Sequence, residues 1–313
     1  MKCIIIIPFI FFANTIFAQI SIIPAIKKEN KIETYDSLRN ICYDNIRQQK
    51  GQILLSVGSF LTEDGYTCFS NTPTFDILPR DQYKQVKIQT DYGDKYVTGK
   101  EYIQNKYFKV DDILEKKVVT SSVFCLKLIE QESLDTLYFI TNNSAENERI
   151  FINIGYYKKL KSILANKTYY SNGNSWHLIN IENGQEVSPR FKDIFKCTDL
   201  AVELGDNSLY AKLESTQYGS VKVKIFSSKN INGFIEKNLY DKCIKEYGFK
   251  WGNLVAQNRV QIGMTSQMVI DAWGHPNETN IITGEYGDNE QWVYRRDNSY
   301  LYFENGKLTT IQR

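Results

Sequence analysis

Histidine is scarce in this chain: its 313 residues include two, His177 and His275. That leaves little material for metal chemistry, and no H-E-x-x-H pair is present. A G-x-S-x-G elbow, a Walker phosphate loop and a Rossmann glycine cluster are missing as well. The six cysteines include no C-x-x-C pair, which argues against a zinc site and against a thioredoxin-type centre. Charge excess is also absent, since 38 basic against 36 acidic residues give a formal +2. Such a balance provides no footprint for nucleic acid and no polybasic patch for a membrane surface. Beyond the N-terminus, no segment is apolar for long enough to cross a bilayer.

What is present is an ordinary globular composition, 42% hydrophobic and 24% charged, with length for about two domains. The first residues read as a signal peptide over 1–18. Lys2 precedes an apolar run from Cys3 to Phe12, and the cut falls after Ala18, although Ile16 is bulky for its place before the cut. Uncharged sequence continues to Ile26, interrupted by Pro8, Asn14, Gln19 and Pro24. An uncleaved anchor is therefore the alternative and the one route to membrane association. Cys3 stands at the head of this run, not at its end beside the cut, and cannot carry a lipid. The expectation is an exported protein: periplasmic, extracellular or surface-associated.

Cleavage leaves Cys42, Cys68, Cys125, Cys197 and Cys243, an odd set with at least one free thiol. They read first as small buried hydrophobes, and any disulfide pairing cannot be read from the sequence.

Residues 28–50 have a helical pattern in Leu38, Ile41, Cys42, Tyr43 and Ile46, ended by Lys50-Gly51. Residues 51–230 are β-rich, with short aromatic and β-branched runs such as "QILLSVGSF", "VFCLKLIEQ", "TLYFIT" and "RIFINIGYY" between turn signals. A weak echo links Gly99 with Gly184 and Lys127-Leu128 with Lys212-Leu213 at one separation. Two similar small modules, SH3-like barrels, would explain it; so would chance among Lys- and aromatic-rich strands. Residues 233–313 change character again. "FIEKNLYDKCIKEYG" is an amphipathic helix ending at Gly248, and a second helical stretch reaches about Gln257. The expected fold is mainly β, with a C-terminal two-layer α+β domain of helices on an antiparallel meander.

"IGMTSQMVIDAWGHP" is a complete helix in miniature. Gly263 allows a tight entry past Met264, Thr265 is an N-cap, and Met268, Val269, Ala272 and Trp273 share one face. Gly274 and Pro276 stop it. "QWVYRR" places Trp292 and Tyr294 on one strand face. "YLYFE" carries Phe303, and Asn305-Gly306 signals a type I′ hairpin. The ordered set Gly263, Met264, Thr265, Val269, Gly274, Pro276, Trp292, Tyr294, Phe303, Asn305, Gly306 and Leu308 resembles the SmpA/OmlA, or BamE-like, domain of bacterial envelope proteins. It covers roughly 255–312. The resemblance implies a non-catalytic envelope module that binds other proteins. The family's short lipoproteins lack the long β-rich region found here.

The functional expectation is a non-catalytic binding protein of the envelope, without cofactor or metal, whose partner is an envelope protein or a glycan. Candidate binding residues are Trp176, His177 and His275, each with an ordinary structural role as its alternative. The competing reading is a hydrolase pairing a thiol with His177 or His275. A further alternative gives glycan or peptidoglycan binding to SH3-like modules in the β-rich region.

Overall fold

The computed structural model describes residues 35–57, 65–90, 93–119, 121–141, 150–173, 178–203, 208–225, 230–284, 287–295 and 298–313. The expected signal segment 1–18 lies outside these residues, as do residues 28–34 of the expected helical segment and the candidates Trp176 and His177. The described chain is mainly β, in antiparallel sheets.

The first half contains β1 (Ile53–Ser56), β2 (Gly65–Tyr66), β3 (Phe69–Ser70), β4 (Gln85–Thr90), β5 (Gly93–Gly99), β6 (Tyr107–Val118), β7 (Ser121–Glu130), β8 (Thr136–Thr141) and β9 (Phe151–Asn153), then α1 (Ile154–Leu164). Next come β10 (Thr168–Ser171), β11 (Leu178–Asn180), β12 (Glu186–Val187), β13 (Ile194–Val202), β14 (Leu209–Ser215), β15 (Gly219–Lys224) and β16 (Phe234–Glu236). The chain ends with α2 (Lys237–Ala256), α3 (Ser266–Trp273), β17 (Glu278–Gly284), β18 (Gly287–Tyr294), β19 (Ser299–Glu304) and β20 (Lys307–Gln312).

Two sheets repeat one topology. The first runs β3-β8-β7-β6-β1-β9 and the second β12-β11-β15-β14-β13-β10-β16. In both, the strand before the helix pairs back onto the opening strand, and a meander follows on the other side. The registers coincide: Leu54 faces Phe108 and Tyr169 faces Phe195, while Ser56 faces Phe151 and Ser171 faces Phe234. Asp111 is an extra residue between Val110 and Asp112, and Thr198 is one between Cys197 and Asp199. A bulge adds local twist and bends its strand, so both sheets curl at the same place. Leu128 faces Val110 and Leu213 faces Cys197. The Lys-Leu half of the sequence echo therefore marks equivalent positions. The glycine half does not: Gly99 closes β5 with φ −59°, whereas Gly184 sits in a turn with φ +71°.

Each sheet buries its own aromatic core. Phe108 and Phe151 meet edge-on at 6.0 Å, and their counterparts Phe195 and Phe234 do so at 5.1 Å. Burying such a side chain contributes about 1.5–3 kcal/mol. Phe69 and Phe139 complete the first core, and Leu160, Leu200 and Leu213 pack in the second.

Two local readings differ from the structure. The run "RIFINIGYY" is strand only through Asn153, whose side chain accepts from the Tyr156 N–H and starts α1. Leu160 and Leu164, one turn apart, are the buried residues of that helix. Within 28–50, the described helix is the 3-10 helix Tyr43–Gln49. Side-chain amides take over backbone partners here. Asn45 accepts from the Cys42 N–H at 2.9 Å and donates to the Asn40 carbonyl at 2.8 Å. Gln49 donates to Asn45 at 3.1 Å and accepts from Asn153 at 2.8 Å. This buried amide network ties the segment to the start of α1.

At the C-terminal end, α2 breaks at Gly248, where φ is +73°. The second half turns back so closely that a Cβ on Gly252 would lie 2.6 Å from the Cys243 carbonyl oxygen. Strands β17-β18-β19-β20 form a four-stranded meander. Val255, Val269 and Ala272 from the helices share a core with Trp292, Tyr294, Leu301, Phe303 and Leu308 from the sheet.

Candidate binding site

Thr265 caps α3 by accepting from the Met268 N–H at 3.3 Å, and Gly274 ends it at φ +83°. The residues before the cap run beside β20: Gly263 donates to the Leu308 carbonyl and Leu308 to that of Met264, both at 2.8 Å. Met264 is fully buried beneath them. Trp273 is half-buried, edge-on to Tyr294 at 5.4 Å, and its indole N–H donates to the Asn258 carbonyl at 2.9 Å. The Tyr294 hydroxyl donates to the Gly274 carbonyl at 2.8 Å, and burial pushes its pKa up to about 12. Trp292 packs against Phe303 with ring centroids 4.4 Å apart and planes tilted by 42°, and Asn305 and Gly306 have the positive φ of their hairpin turn. These residues build the helix-to-sheet contact.

His275 is exposed just past the helix stop. Its neighbour Asp271 is engaged elsewhere, by the Tyr247 hydroxyl at 2.5 Å and the Gln267 amide at 2.8 Å. The five thiols are all free, and all but Cys42 are buried. Burial pushes Cys68 up to about 12 and Cys197 to about 11, and it raises Cys125 and Cys243 too. A nucleophilic cysteine requires the opposite shift. Asp111 pairs with Lys127 at 2.7 Å and Asp112 with Lys50 at 2.6 Å, so these adjacent carboxylates do not converge. No group of His, Cys, Asp and Glu among the described residues can hold a metal ion.

Two concavities stand out by volume from two smaller ones of about 240 Å³ each. One, of about 350 Å³, lies between the second sheet and α2, walled by Leu164, Tyr169, Phe234, Leu239 and Val255. The ion pair Lys167–Glu236, at 2.7 Å, belongs to its lining. The other, of about 650 Å³, lies on the last sheet and includes Asn280, Gln291, Tyr302, Thr310 and Gln312 in its lining. These side chains alternate with the core residues Trp292, Leu301 and Phe303, so they face away from the helices. Asn280 donates to Gln291 at 3.0 Å, Gln291 to the Tyr302 hydroxyl at 2.9 Å, and that hydroxyl to Gln312 at 3.0 Å. One row of hydrogen bonds thus crosses all four strands.

Sequence reading passed over this row because each member looks like a solvent-facing strand residue. The available signal was spacing: Asn280, Gln291 and Tyr302 stand eleven apart, the repeat that places them side by side in consecutive hairpins. Compared with family models, curated proteins and solved structures, the chain matches none.

Proposed function

We propose that the protein is an exported bacterial envelope protein that binds a partner without catalysing a reaction, and that the open face of its last sheet is the contact surface. The observation that carries this reading is the ordered polar row Asn280–Gln291–Tyr302–Gln312 across a cavity of about 650 Å³. Polar groups fixed in advance lose little freedom on binding. The apolar N-terminal run with its Ala18 cut supports export. The helix stop, the Trp292–Tyr294 strand and the Asn305-Gly306 hairpin support a BamE-like, two-layer α+β module. The raised thiols weigh against the hydrolase alternative.

A second reading draws on the paired sheets. A closing strand beside the opening strand, followed by a meander, is the strand order of SH3-like barrels. That order supports two tandem SH3-like modules and, with them, glycan binding in 51–230.

Fractionation with site-directed crosslinking tests the main reading. The expected result is an envelope-located chain beginning at Gln19, with a photo-crosslinker at Gln291 forming adducts that one at Val119 does not. A cytoplasmic, unprocessed chain would overturn export. Equal crosslinking at both positions would overturn the assignment of the face.

A further inference from the structure

Resting on the assignment of that face, we infer that its ligand is a neutral glycan, laid across the strands along the row from Asn280 to Gln312. Chemistry of the lining comes first. Amides, hydroxyls and the carboxylates of Glu290 and Glu304 line it together with the rings of Tyr302 and Phe303, and no lysine or arginine is among its residues. A phosphate, a nucleic acid or an acidic peptide would meet no cation in this lining, and its exposed Glu304 is already faced by Lys307 across the hairpin. Glu290 is engaged by the Trp292 indole N–H at 2.7 Å.

Geometry points the same way. The row runs across the strands, where neighbours are spaced ~4.8 Å apart, so three gaps span roughly 14 Å. Each gap is about the length of one pyranose unit. An added peptide strand would use an edge, not a face, because the backbone groups beneath the row are already paired within the sheet.

All three bonds of the row point from Asn280 toward Gln312. The Asn280 carbonyl oxygen and the Gln312 amide N–H groups are left over by the row, and each of Asn280 and Gln291 keeps a second N–H. A mixed line of donors and acceptors suits sugar hydroxyls, which do both. The half-buried Tyr302 ring at the centre adds an apolar surface for a sugar face.

The test is native gel electrophoresis of the full chain through gels containing hydroxyethylcellulose, dextran, galactomannan or glycol chitin, with carboxymethylcellulose as the anionic counterpart. Retardation by at least one neutral polymer is expected, at least fivefold stronger than by carboxymethylcellulose. The double variant Gln291→Leu/Tyr302→Phe should lose it at least tenfold while keeping the wild-type circular dichroism spectrum. Asn280→Ala, at the exposed edge, serves if the double variant fails to fold and should weaken retardation at least threefold. Migration unaffected by every neutral polymer overturns the inference. So does equal retardation by carboxymethylcellulose, or a folded face variant that binds like wild type. Face-specific crosslinks to a protein without glycan retardation would remove the glycan and keep the contact surface. Retardation by a cytoplasmic chain would keep the glycan and remove export.

Discussion

The two curled sheets share a frame and differ in what is attached to it. Both have the Phe–Phe contact, the bulge after Val110 or Cys197, and a helix following the returning strand. In the first, the connection after β1 sends β3 to the edge of the sheet and also holds the separate three-stranded sheet β2-β5-β4; in the second, the corresponding connection contributes β11 and β12 to the sheet and builds no separate one among the described residues. Asn153 caps α1 with its side chain, whereas Glu236, at the equivalent place before α2, makes no cap and pairs with Lys167. The comparison separates what the curled sheet needs, a core pair and a bend, from what each copy adds.

The largest effect should come from the shared part. Phe108→Ala and Phe195→Ala, each at a fully buried residue, should each cost about 3–5 kcal/mol. Denaturant unfolding with hydrogen exchange at Leu126 and Leu213 would check this. Loss of protection confined to the mutated sheet would show two independently stable copies; loss in both would show one cooperative unit.

The next contrast lies at the helix starts. A Cβ on Gly155 would sit 2.7 Å from the Tyr35 Cβ and 2.8 Å from the Tyr35 carbonyl oxygen. Gly155→Ala should therefore cost about 1–3 kcal/mol. At the equivalent Asn238, which is exposed, Asn238→Ala should change stability by less than about 0.5 kcal/mol. Equal costs at the two sites would break the equivalence. Removing the cap should come third: Asn153→Ala should cost about 1–2 kcal/mol, and Glu236→Ala, which breaks a part-exposed ion pair, below about 1 kcal/mol. Both are read from thermal melts.

Acid provides the mildest test. In the first copy, Lys50 holds Asp112 below the usual carboxylate range, Arg47 and Ser122 hold Glu115 there, and Tyr83 and Lys84 hold Asp135. Burial would raise Glu130, but the N–H donors of Ser133 and Glu132 outweigh it and lower the value. In the second copy Asp199, beside Lys161, is lowered likewise. A depressed carboxylate lends stability above its unfolded pKa of about 4, and the gain disappears as pH falls toward the folded value. Exchange protection should thus fall below about pH 4, and sooner at Leu126 than at Leu213.

Much of the local structure was legible. Thr265, Gly274 and Asn305-Gly306 act through backbone geometry that residue type alone dictates. The likeness of the sheets was barely visible, because Ile53-Leu-Leu-Ser56 and Thr168-Tyr-Tyr-Ser171 share only the serine. What they have in common is register, a property of pairing between distant strands. The polar row was hidden for the same reason, and the amide network around Asn45 turned a helical pattern into one short 3-10 helix.

The sealed thiols have a practical consequence. Among the described cysteines only Cys42 is partly open, beside the Arg39 guanidinium. A chain cut after Ala18 can therefore be labelled under native conditions at one site with a maleimide dye. That dye would sit next to the amide network joining the N-terminal segment to Asn153. Its fluorescence would report whether this segment detaches separately from the melting of either sheet.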